Sequence, residues 1–118
     1  MNKEKTIKVA ATQMSCSWEL EDNLSKAKNI INEAAKKGAN IILLQELFET
    51  PYFCQDINPK FKELAKPLKD NFLIQTFQKL AAELEVVLPL SYYEQGDSGL
   101  YNSIAIIDAD GSIKNHYR

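Results

Sequence analysis

The sequence predicts an α/β fold: a mixed sheet with two βαβ units followed by antiparallel hairpins. Three observations carry this reading. Short apolar runs bounded by turn residues, IKVAATQM, NIILL and VVLPLSYYE, alternate with stretches of helical periodicity. NIILL is apolar throughout, as a strand covered on both faces must be. After Glu94 the helices stop, and QGDSG and DADG punctuate the remaining strand-like runs.

Taken in order, Ile7 to Met14 forms the first strand and Ser15 to Asp22 a polar connection. Asp22 or Asn23 supplies a side-chain oxygen to cap the first helix. Leu24, Ala27, Ile31, Ala34 and Ala35 make its apolar stripe, and Gly38 ends it in the left-handed conformation that a Cβ disfavours. Asn40 to Leu44 is the second strand, reached by a right-handed crossover. The aromatic stretch from Gln45 to Asn58 is a long loop of the kind that builds sites. Asn58-Pro59 starts a short helix that Pro67 ends. Asp70 or Asn71 caps another, with Leu73, Phe77, Leu80, Ala81 and Leu84 inward. Val86 to Glu94 is the third strand, and Pro89 within it belongs at an edge or bulge because it lacks a ladder donor. Leu100 to Asp108 and Ser112 to Arg118 complete the hairpins. The last run has no closing turn, so residues 1–118 read as one incomplete domain.

Composition narrows the function. Lys and Arg number 14 against 16 Asp and Glu, a net charge of −2, which excludes a nucleic-acid binder working by bulk positive charge. The longest apolar run, Ile41 to Leu44, is far below the ~20 residues a membrane span needs. No signal-peptide pattern is present. Cys16 and Cys54 are too few and too distant for a disulfide framework or a CxxC site, so the chain is expected in a reducing, cytoplasmic setting. GxGxxG, P-loop, HExxH and zinc spacings are missing, and neither cofactor nor metal is expected.

Glu46 is the sharpest candidate. It stands at the carboxyl end of an apolar strand, where open α/β sheets bind ligands, with Leu47 and Phe48 after it. Burial there would raise its pKa toward general acid–base use. The competing reading is a strand-end carboxylate in a salt bridge. Cys54 lies in the same loop, and its only available imidazole partner is His116 on the last strand. Both are read as structural, Cys54 packed or idle and His116 on the surface. Phe48, Tyr52 and Phe53 line a pocket or pack under the loop. Asn102 and Ser103 are taken as structural hydrogen-bonding groups.

Four segments, GANIILLQELFETPYFCQ, ELAKPLKDN, ELEVVLPLSYYE and LYNSIAIIDADG, are similar in order and spacing to the N-terminal part of nitrilase-superfamily carbon–nitrogen hydrolases. The first resembles the N-carbamoylputrescine amidase branch in particular. The resemblance runs from about Ile7 to Arg118. It implies an αββα sandwich and a Glu–Lys–Cys site, with the family Glu at Glu46. The implied chemistry is covalent: a Cys thiolate attacks an amide or ureido carbonyl, ammonia leaves, and water hydrolyses the acyl-enzyme. Glu accepts the thiol proton and later activates water, and Lys helps hold the oxyanion. The family Lys follows shortly after a pair like Tyr117-Arg118, and neither Cys16 nor Cys54 matches the nucleophile. One of three catalytic groups is therefore expected here, on a chain inactive by itself. The implied substrate is a small carbamoyl-amine or amide, with Glu49 or Tyr52 contacting a cationic tail. No nucleic acid or membrane is involved, and the complete form is expected to be a homo-oligomer. The alternative is a non-catalytic chain that pairs with another polypeptide.

Overall fold

A computed structural model describes residues 4–118; residues 1–3, part of the charged N-terminal stub, lie outside it. The elements in chain order are β1 (Val9–Ala11), α1 (Leu20–Lys36), β2 (Ile41–Leu43), α2 (Phe72–Leu84), β3 (Leu88–Gln95), β4 (Leu100–Ile107) and β5 (Ile113–Tyr117). Two short 3-10 turns, Phe53–Gln55 and Pro59–Leu64, lie between β2 and α2. β1 and β2 are parallel, with Val9 opposite Ile41. β3, β4 and β5 form an antiparallel ladder. A parallel bridge between Ile41 and Val87 joins the two groups, so both crossovers read from the sequence are present.

Pro89 is tolerated because of where that bridge ends. Val87 donates to the Asn40 carbonyl and accepts from Ile42, so alternate residues of β3 from Val87 onward aim their backbone groups toward β2. The pairing with β2 is a single bridge at Val87, so the missing Pro89 donor breaks no ladder bond on that side. Further along the same edge, residue 66 resumes the pairing, through Lys66 N to the Tyr93 carbonyl and Gln95 N to the Lys66 carbonyl.

Both helices cover one face of the sheet. Ala27 and Ile31 of α1, with Leu73, Ile74, Phe77 and Ala81 of α2, pack onto Ile42, Leu88, Leu90, Ala105 and Ile107. The rings of Phe48 and Phe77 meet edge to face at 5.4 Å. β3 alternates strictly, with Leu88, Leu90, Tyr92 and Glu94 buried. At the β4–β5 turn, Gly111 has φ +87°, and a Cβ there would stand 2.7 Å from the Gln78 carbonyl oxygen of α2. No helix among the described residues is long and apolar enough to cross a membrane.

Three local expectations are corrected. α1 begins at Leu20, so neither Asp22 nor Asn23 caps it; Glu19 stands at the cap without a side-chain bond. Asn23 is drawn instead into the buried seam between loops, where it accepts from Ser17 N and donates to the Ser17 and Glu49 carbonyls. The Asn58-Pro59 helix is a 3-10 turn, although Asn58 does cap it by accepting from Lys60 N. Asn71 caps α2 as read, accepting from Ile74 N. β1 is only three residues because, past Thr12, the pairing passes to a side chain. Gln45 accepts from Met14 N and donates to the Met14 carbonyl, imitating a strand neighbour.

Candidate active site

Glu46 sits in the turn that follows β2, and three neighbours set that turn. Leu47 has φ +51°, an unfavourable value for a branched side chain, and its side chain is buried. Its backbone N–H donates to Ser91 Oγ of β3 at 2.8 Å. Gln45 holds the chain on the other side through its two bonds to Met14. Strained backbone that persists must be held by its surroundings, and here those contacts are identified.

Glu46 lies beyond the carboxyl end of β2, as the sequence reading placed it, but it is not buried there. Leu44, Leu47 and Phe48 turn into the core, and Glu46 is the residue of this turn that faces outward. It is exposed, so the burial expected from its apolar neighbours is absent, and the desolvation argument built on it falls. Asn102 of β4 donates through Nδ2 to Glu46 Oε1. Two open clefts meet at Glu46. One, of about 330 Å³, runs over the uncovered sheet face past Leu43, Ser91, Ile104 and Tyr117. The other, of about 480 Å³, is walled by Thr12, Gln13, Met14, Gln45 and Tyr52.

Tyr52 thus shares a cleft with Glu46, whose negative charge pushes the Tyr52 phenol up, with Cys54 adding to the effect. Glu49 is set apart. Its carboxylate is 3.4 Å from Lys66 Nζ, and it lines a separate cavity of about 80 Å³ with Leu20, Phe53 and Tyr93. Cys16 is a structural thiol: it donates to the Phe48 carbonyl, and burial pushes it up despite Lys26. Cys54 is exposed.

His116 is not the surface residue expected. It is half-buried, and its Nε2 is 2.6 Å from the Tyr92 hydroxyl and 3.4 Å from Glu94. Glu94 anchors this cluster from the buried face of β3. It accepts from Ser103 Oγ and takes a two-pronged contact from Arg118, Nε to Oε1 at 2.9 Å and a terminal nitrogen to Oε2 at 3.1 Å. The guanidinium also lies 4.4 Å from the centre of the Tyr101 ring. Sequence reasoning missed the cluster. The available signal was Glu94 continuing the inward positions of Leu90 and Tyr92.

Arg118 hydrogen bonding holds the Glu94 carboxyl below its ordinary 4.5, with Ser103 and His116 assisting against burial. A carboxyl depressed in the folded state contributes stability above its unfolded value and loses it as pH falls through the folded one. Urea midpoints are therefore expected to drop on acidification below about pH 4.5. Glu94→Gln should cost about 2 kcal/mol at neutral pH and flatten that drop, because its contacts no longer depend on ionisation. An unchanged acid profile in the variant would reject this assignment.

Comparison with known proteins supplies the context. The chain is 52% identical over 112 residues to an N-carbamoylputrescine amidase of Oryza sativa subsp. japonica, covering 95% of this chain and 37% of that protein. It is 44% identical to a citrullinase of Francisella tularensis, covering 95% and 39%. A carbon–nitrogen hydrolase structure from Helicobacter pylori superposes with a TM-score of 0.85 at 31% identity, over 95% of this chain and 39% of that one. The chain thus spans about two fifths of the length of these relatives. The carbon–nitrogen hydrolase family model matches residues 8–118, nearly the whole of the sequence, and the chain belongs to that family.

Proposed function

We propose that this chain is the Glu-bearing N-terminal part of a thiol-dependent carbon–nitrogen hydrolase that cleaves terminal ureido groups, with N-carbamoylputrescine as the favoured substrate. The single observation that carries the reading is Glu46: an outward carboxylate on a strained, well-braced turn, at the meeting of two clefts, in a chain of this family. The names of relatives at 52% and 44% identity, an N-carbamoylputrescine amidase and a citrullinase, both denote substrates ending in a ureido group. In the proposed reaction a Cys thiol loses its proton to Glu46 and the sulfur attacks the carbonyl carbon. The C–N bond breaks and ammonia departs with the proton that Glu46 held. Glu46 then takes a proton from water, the hydroxide adds to the thiocarbamate carbonyl, the C–S bond breaks and the proton on Glu46 returns to the departing sulfur; the released carbamic acid decays to putrescine and CO2. Tyr52, beside Glu46, offers a ring to the cationic amine of the substrate. Two unpaired cysteines suit a reducing, cytoplasmic setting.

A second reading is favoured by one feature of the clefts. Among the described residues, the only cation lining them is Arg118, which is committed to Glu94, and no cysteine lines either. On that reading the chain is non-catalytic and pairs with another polypeptide. The deciding assay measures ammonia release from N-carbamoylputrescine, citrulline and simple amides. It compares the 118-residue chain alone with the chain mixed with the part of the rice relative outside the match. Turnover only in the mixture, highest on N-carbamoylputrescine, is expected; its absence on every substrate favours the pairing chain.

A further inference from the structure

The outward positions of β4 are Asn102, Ile104 and Ile106, alternating with buried Ser103, Ala105 and Ile107. Asn is poorly suited to a strand, and its amide needs partners that an apolar sheet face does not offer. Across the ladder it stands opposite Tyr93. Its amide instead reaches Glu46, 56 residues away in the chain, donating from Nδ2 to Oε1.

The turn itself has its own supports. Ser91 holds the Leu47 backbone and Gln45 holds Met14, so the path of the chain through Glu46 does not depend on Asn102. What Asn102 fixes is the carboxylate. An exposed Glu side chain samples several rotamers, and a proton acceptor is effective only when its oxygen is aimed. Among the described residues, Asn102 is the side chain that bonds the Glu46 carboxylate, and it engages Oε1 and leaves Oε2 open to a reacting group. The donor is neutral. A full positive charge in its place would favour the ionised carboxylate strongly and make it a poorer proton acceptor.

We propose that Asn102 is a positioning residue that orients the Glu46 carboxylate for proton transfer. The inference rests on Glu46 acting as the proton acceptor proposed above. The informative variant is Asn102→Val, because Val suits a strand better than Asn and the fold is not put at risk. In the reconstituted mixture, Asn102→Val should lower kcat about 10- to 100-fold with KM within about twofold, and its urea midpoint should not fall. Full kcat in Asn102→Val, in a mixture where Glu46→Gln is dead, overturns the positioning role and leaves the reading of Glu46 intact. If no mixture turns over, the reading of Glu46 is what fails. The contact is then decided by the side-chain amide signals of Asn102 in nuclear magnetic resonance, recorded on the 118-residue chain carrying Leu43→Ser and Tyr117→Ser so that the open sheet face does not drive association. They should follow the protonation of Glu46 during an acid titration and cease to do so in Glu46→Gln. Signals that titrate alike in both chains overturn the proposal.

Discussion

Glu46→Gln is expected to abolish ammonia release by the reconstituted mixture, with kcat down by about 10²–10⁴-fold. Gln has the same shape and keeps an oxygen that can accept from Asn102, so the turn and the cleft walls stay in place. What it removes is the capacity to take a proton. Without an acceptor the thiol remains largely protonated, and groups that act as a unit do not compensate for one another. Because Glu46 is exposed, the same change should leave stability within about 0.5 kcal/mol of the parent. The pair of readouts gives the prediction its force: lost turnover with an unmoved urea midpoint separates chemistry from folding. A variant retaining more than a tenth of the parent kcat would remove Glu46 from the proton-transfer step.

That experiment turns on an arrangement only partly legible in the amino-acid order. Local signals served well where one element answers to its own residues. Asn71 before the α2 stripe, Gly38 after α1, and the turn residues of the β3–β5 hairpins each mark a feature that the structure contains. Glu46 shows the other case. Leu44, Leu47 and Phe48 made burial of the whole segment a reasonable expectation, and those three residues are indeed buried. The direction of Glu46 depends on a left-handed Leu47 whose N–H is held by Ser91, 44 residues on. No local pattern encodes that contact. Asn102 was legible as a hydrogen-bonding group but its partner was not, for the same reason: Glu46 is remote in the chain. Its misfit on a strand was nonetheless a usable sign, since a polar residue that violates the local rule points to a job elsewhere.

The 118-residue chain is expected to self-associate at micromolar concentration. Both helices lie on one face of the sheet, and the other face is left open. On that face Val9 is 70% exposed, Leu43 45% and Tyr117 75%, with Ile104 and Ile106 half-buried between them. Contiguous apolar surface beyond a few hundred Å² is uncommon on soluble monomers, and burying it releases about 25 cal/mol per Å². Among the described residues the sheet also ends in unpaired edges at β1 and β5, which supply a second route to association. The two routes separate by substitution. Leu43→Ser with Tyr117→Ser lowers the apolarity of the face and leaves the backbone edges as they are. If the face drives association, light scattering should report oligomers for the parent and a predominantly monomeric double variant. If the double variant associates as strongly as the parent, the edges are responsible and the face is not. A parent that stays monomeric at high concentration would reject both routes.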